Sequence, residues 1–141
     1  MDNSHEHMTL KPGIKHTQTK TVMASDSAIA FGSGTVDVFG TPSMVAFMEN
    51  TCKNCVQPYL VEGEGTVGIA LNIRHLAAAP IGATVKCECE LIEVERKILT
   101  FTVKVSMGDE LIGDGTHTRA RVDFVRFQAK ADEKKKSMGL S

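Results

Sequence analysis

Thr41, Glu49 and His75 are the residues of this 141-residue chain best suited to chemistry. They supply a hydroxyl, a carboxylate and an imidazole, which are the ingredients of acyl transfer. Thr41 stands at the expected N-cap of a helix, whose free backbone N–H groups suit an oxyanion or a carbonyl oxygen. Glu49 interrupts the apolar run Met44, Val45, Phe47, Met48, Cys52, Cys55 and Val56. A carboxylate on a buried helix is costly unless it is paired or has a task. His75 ends a strand and continues its inward face, and an imidazole moves protons near neutral pH. Each residue also has a plainer reading: Thr41 as a cap alone, Glu49 as the partner of Arg74 or Arg119, His75 as a satisfied strand-end histidine. Spacing adds a constraint. Eight helical residues span about 12 Å, so Thr41 and Glu49 do not touch along one helix. Either they flank one substrate, or Thr41 lies on a bend before the helix, or a second copy of the chain brings one of them across.

The elements that must position these residues follow from periodicity. Thr41, then Pro42 at the first helical position, opens a helix that runs to about Gln57 and stops before Pro58. Residues 13–23 form a first strand, and Ala24 to Gly34 a long connection that could fold as a flap. Glu62 to Gly65 is a turn. Thr66 to His75 then alternates, with Val67, Ile69, Leu71, Ile73 and His75 on one face and Gly68, Ala70, Asn72 and Arg74 on the other. Ala83 to Glu95 alternates again, as do Leu99 to Met107, and a last strand spans Leu111 to Phe127 with its pattern blurred at Gly113 and Gly115. One apolar helix and five strands predict an α+β fold in which a long antiparallel sheet wraps around one central helix, the hotdog architecture. The open sheet edges predict a homodimer. Residues 1–10 are expected to be a mobile segment, residues 11–130 a single hotdog domain, and residues 131–141, with Lys134 to Lys136, a disordered charged tail.

Composition narrows the functional classes. Apolar residues make up 42% and charged residues 23%, with a formal net charge of −1. That balance has no pull toward nucleic acid, and the chain has no Trp and one Tyr for base stacking. No apolar run is long enough to span a membrane, and the N-terminus lacks a secretory pattern, so a cytoplasmic setting with reduced thiols is expected. Cys52 and Cys55 have redox-motif spacing but lie within the helix, and Cys87 and Cys89 share a strand face, so all four read as core. A four-cysteine zinc site would need helix and strand to converge, and His5 and His7 give only a weak metal signal. No metal and no cofactor are expected.

The runs Thr41-Pro-Ser-Met-Val-Ala-Phe-Met-Glu49, Pro58-Tyr-Leu60, Glu62 to Gly68, Thr66 to His75, Gly82-Ala-Thr-Val85 and Gly115-Thr-His-Thr-Arg-Ala120 resemble the fluoroacetyl-CoA thioesterase family of hotdog proteins. The similarity extends from about Lys11 to Lys130. It implies a thioesterase that splits an acyl-CoA into the free acid and CoA. It also implies catalytic roles for Thr41, Glu49 and His75, and contact of Gly68 and Arg119 with the acyl-CoA. The family's fluoroacetate-specific member carries an aromatic, Pro-containing lid before the helix. Ala24 to Phe39 here has only Phe31 and Phe39 as aromatics, which points to a general short-chain acyl-CoA substrate. The competing readings are a hotdog hydratase, for which no Asp/His pair has suitable spacing, and a non-catalytic acyl-CoA binder or sensor in which Glu49 and His75 serve structure.

Overall fold

The computed structural model describes residues 9–140. Five strands, β1 (Lys15–Thr21), β2 (Glu64–His75), β3 (Thr84–Glu95), β4 (Ile98–Met107) and β5 (Glu110–Asp123), form one antiparallel sheet in the order β1-β3-β4-β5-β2. Helix α1 (Thr41–Val56) lies in its concave face. This is the expected wrapped-sheet α+β architecture. A second helix, α2 (Phe124–Ser137), follows β5 directly.

The core follows from the two periodicities. Met44, Met48, Cys52 and Val56 recur every fourth residue and are fully buried, with Phe47, Thr51 and Cys55 beside them. They face the inward residues Val85, Cys87, Cys89 and Leu91 of β3 and Leu99, Phe101, Val103 and Val105 of β4. The four cysteines are free and buried in this layer. Burial pushes the Cys87 thiol up to about 11, and contact with neighbouring thiols, together with burial, raises those of Cys55 and Cys89 further.

Gly113 sits where β5 passes under α1. A Cβ there would meet the Met44 sulfur at 2.6 Å and the Arg74 carbonyl oxygen at 2.8 Å. Gly113→Ala is therefore expected to destabilise the fold by about 1–3 kcal/mol, the usual cost of overpacking, read as a lower urea midpoint.

Four expectations change. Thr41 is the first helical residue, and the N-cap is Gly40, whose backbone is extended (φ −79°, ψ 152°) and which makes no side-chain cap. The Thr41 hydroxyl is thus free of capping. A bulge at Ile69 breaks the alternation of β2: Gly68 pairs with Arg119 and Ala70 with Thr118, so Gly68 joins Leu71, Ile73 and His75 on the face toward α1. β5 ends at Asp123, not at Phe127, because the Asp123 side chain accepts the Arg126 N–H at 3.1 Å and caps α2. Residues 131–137, expected to be disordered, continue that helix, with Lys134, Lys135 and Lys136 in its last turn, where cations suit the dipole. The expectations for residues 1–8 and for His5 and His7 lie outside the described residues. Leu10, placed in the expected mobile segment, packs against the core.

Candidate active site

Two polar constellations lie at opposite ends of the α1–β2 interface. The first is at the start of α1. Thr41 Oγ1 and His75 Nδ1 are 2.8 Å apart. This contact forms because Gly40, not Thr41, caps the helix, and because β2 ends at His75 beside the first turn of α1. Phe39 packs edge-on against the imidazole, with ring centroids 6.5 Å apart. A hollow of about 380 Å³ opens here, lined by Val38, Phe39, Gly40, Thr41, His75 and Ala77 among others. Burial holds the His75 imidazole below its usual range, partly opposed by a hydrogen bond with the Ala77 backbone. His75 is therefore neutral at pH 7 and can accept the threonine proton. A hydroxyl within hydrogen-bond reach of a neutral imidazole is the arrangement that activates a nucleophile or anchors a proton carrier.

The second constellation is two turns along α1. Glu49 leans over the Gly68–Arg119 pair of β2 and β5, on the border of the buried stripe. Its side chain is 41% exposed, and Arg119 Nη1 lies 3.8 Å from its Oε2. Of the two arginines considered as its partner, Arg119 is the one; Arg74 is held by Asp114 in a two-bond fork at 3.0 and 2.9 Å. No hydrogen bond reaches the Glu49 carboxylate from any of the described residues, so its oxygens are available to a substrate or a water. Gly68 provides the room. A Cβ there would stand 2.6 Å from Glu49 Oε2, so only glycine lets the carboxylate lie this close to the strand. The hollow at this point measures about 220 Å³.

Arg119 is fixed on three sides. Its Nε donates to Thr66 Oγ1 at 2.7 Å, its Nη2 to the Thr66 carbonyl at 3.0 Å, and its Nη1 to His117 Nε2 at 3.0 Å. His117 was not singled out from the sequence. It is 1% exposed, and its Nδ1–H donates to the Ala70 carbonyl at 2.9 Å, which leaves Nε2 as the acceptor for the guanidinium. Burial, together with the Arg119 charge, keeps this ring neutral despite Glu49 nearby. The signal for it was its position two residues before Arg119 on the same strand, which gives both the inward face.

Within one chain the two constellations do not meet. About 12 Å of helix separates Thr41 from Glu49, and about 20 Å of strand separates Gly68 from His75. The line between them runs along β2, whose other edge pairs with no strand among the described residues. Among the described residues no helix is long and apolar enough to cross a membrane, and no group of three or more His, Cys, Asp or Glu side chains is placed to hold a metal ion.

Known proteins resemble this chain in sequence and in fold. The family of fluoroacetyl-CoA-specific thioesterases matches residues 22–124. A fluoroacetyl-CoA thioesterase of Streptantibioticus cattleyicolor is 42% identical over 98 residues, which are 70% of this chain and 70% of that protein. Among solved structures, that of the fluoroacetyl-CoA thioesterase FlK superposes with a TM-score of 0.84 at 33% identity, over 90% of this chain and 98% of its own. A thioesterase superfamily member from Thermus thermophilus superposes with a TM-score of 0.86 over 93% of this chain and 97% of its own, and at 22% identity it shares the fold alone.

Proposed function

The chain belongs to the fluoroacetyl-CoA-specific thioesterase family, and from that premise we propose that it hydrolyses short-chain acyl-CoA thioesters to the free acid and CoA. The observation that carries this reading is Glu49: a carboxylate with no hydrogen-bond donor on it among the described residues, held close to the strand by Gly68 at the wall of an open hollow, beside an arginine locked in place. A water between Glu49 and the thioester carbonyl loses a proton to the carboxylate and attacks the carbon. The carbonyl oxygen takes the negative charge, and backbone N–H groups stabilise it. The carbon–sulfur bond then breaks, and the proton taken up by Glu49 leaves with the coenzyme thiol. His75, oriented by Thr41, hydrogen-bonds the sulfur as its charge develops. Gly68 admits the acyl group, and Arg119 orients the Glu49 carboxylate. The chemistry needs no metal or further cofactor, and the Arg119 charge beside Glu49 opposes a cation there. Release of thiol from a panel of short acyl-CoAs, assayed with chelator present, tests the reading. Binding without turnover across the panel would instead favour an acyl-CoA sensor. Fluoroacetyl-CoA belongs in the panel beside acetyl- and propionyl-CoA. Of the two aromatics before α1, Phe39 lines the Thr41–His75 hollow and Phe31 lies in a separate one, and this sparse aromatic lining supports a site without strong fluorine selectivity.

A homodimer joins the two constellations. Strand β2 presents a free edge, and Ile69 on it is 53% exposed. Antiparallel pairing of two β2 edges about Asn72 sets Ala70 of one copy opposite Arg74 of the other. Because Ile69 is bulged out, the same register sets Gly68 opposite His75. The Thr41–His75 pair of one copy then faces Glu49 and Arg119 of the other across one acyl site. Asn72→Cys should therefore form a disulfide-linked dimer under mild oxidation, seen on a non-reducing gel, whereas a sedimenting monomer would overturn this register. The four buried free thiols support a reducing, cytoplasmic setting.

A further inference from the structure

Where β5 passes into α2, a hollow of about 210 Å³ is lined by Lys97, Arg121, Arg126, Phe127 and Lys130. Four cations converge on it, and the one carboxylate in its lining is Asp123. That carboxylate is occupied, since its Oδ1 accepts the Arg126 N–H at the helix cap. Arg121 is also occupied, by a two-bond fork on Glu64 at 3.0 and 2.9 Å. Lys97, Arg126 and Lys130 are left with no carboxylate within 4.0 Å among the described residues. Four cations against the two carboxylates Asp123 and Glu64 leave the concavity net positive, which draws in an anion. α2 buries none of its residues, so the fold gains little core from it, yet it presents Arg126 and Lys130 four residues apart on this one side. Phe127, 51% exposed, adds a flat apolar face at the rim.

The hollow lies along the β2–β5 ladder from the acyl site. The cross-strand pairs Gly68–Arg119, Thr66–Arg121 and Glu64–Asp123 step from one to the other on the same face of the sheet. Four strand residues cover about 13 Å, a span that an extended thioester arm bridges.

We propose that this hollow binds the phosphorylated nucleotide end of CoA, with the phosphates on Lys97, Arg126 and Lys130 and the adenine against Phe127. Arginine and lysine are the usual phosphate donors, and an aromatic face beside them suits a base. The proposal rests on the thioesterase reading, because that reading supplies the ligand. It assigns affinity for the coenzyme to the β5–α2 junction and leaves the chemical step to Glu49 and its neighbours.

The test compares one acyl group carried on CoA with the same group on pantetheine, which has no phosphate and no base. In Arg126→Ala/Lys130→Ala, KM for the acyl-CoA should rise at least about tenfold, the loss expected for charge-assisted phosphate bonds. The rise should be confined to the CoA substrate and should fade in wild type at high salt. Adenosine 3′,5′-bisphosphate should compete against acyl-CoA in wild type and compete far less in the variant. An unchanged KM for acyl-CoA, or an equal rise for both substrates, would overturn the assignment. If wild type turned over neither substrate, the thioesterase reading would fail by itself. Titration of CoA into wild type and variant by calorimetry would still decide the site.

Discussion

Glu49→Gln should lower kcat/KM for a short acyl-CoA by at least about a hundredfold, the effect of removing a general base, while the urea midpoint stays near that of wild type. The substitution keeps the shape and removes only the charge and the proton-accepting capacity. Its structural cost is small for three reasons. The side chain is 41% exposed. No hydrogen bond from a described residue is lost with the carboxylate. Arg119 stays in place through Thr66 and His117. The alternative, in which Glu49 only neutralises Arg119, predicts the opposite: lost stability, since a buried guanidinium loses its counter-charge, with kcat preserved. Thiol release and urea unfolding measured on the same preparation separate the two. A variant with full kcat ends the role given to Glu49. The same logic applies one layer out. His117→Gln keeps an acceptor in reach of Arg119 and should cost less than His117→Leu, which leaves the guanidinium without its third partner.

Most of the sheet was legible because period-2 alternation is a direct record of which face is buried. Val85, Cys87, Cys89 and Leu91 fall inward in the order their spacing requires. α1 was legible for a similar reason. The sites where reading failed share a physical cause: each depends on a local break in a regular pattern. The bulge at Ile69 adds one residue to β2 and reverses the face of everything before it, and nothing in the alternation of residues 66–75 marks where that residue is inserted. Gly68 is therefore placed on the outer face by pattern, although the family resemblance implies a contact with the ligand for it. Thr41 moved one position, from cap to first helical residue, because Gly40 tolerates the extended cap backbone and needs no side chain there. That shift frees the hydroxyl for His75, so the error concerned the residue's chemistry. α2 was missed because it has no apolar stripe. Asp123 and a run of helix-forming Ala, Lys and Gln residues define it by capping and propensity alone. What one chain cannot encode locally is the joining of its two constellations, which rests on the proposed pairing of the β2 edge with a second copy.

His75→Ala carries the other large effect. It should also lower kcat/KM by at least about a hundredfold, and its signature lies in the pH dependence. Burial holds the His75 imidazole below the usual histidine range, so the neutral form prevails at pH 7. As the pH falls through that depressed value, the ring takes a proton, can no longer accept from Thr41 Oγ1, and the 2.8 Å contact changes character. Wild-type kcat/KM should accordingly stay level through neutral pH and fall on an acid limb that lies below pH 6.5, the ordinary value for histidine. The contribution of His75 is the part of the limb that disappears in His75→Ala. Thr41→Val supplies the control. It removes the hydroxyl, keeps the branched shape, and should reduce the rate less than the loss of the imidazole. If the two residues act as one unit, the double variant Thr41→Val/His75→Ala will be no slower than His75→Ala alone. Strictly additive losses would mean that the hydroxyl and the imidazole serve different steps. An acid limb unaltered in His75→Ala would remove this histidine from the proton chemistry and leave the reaction to Glu49 and water.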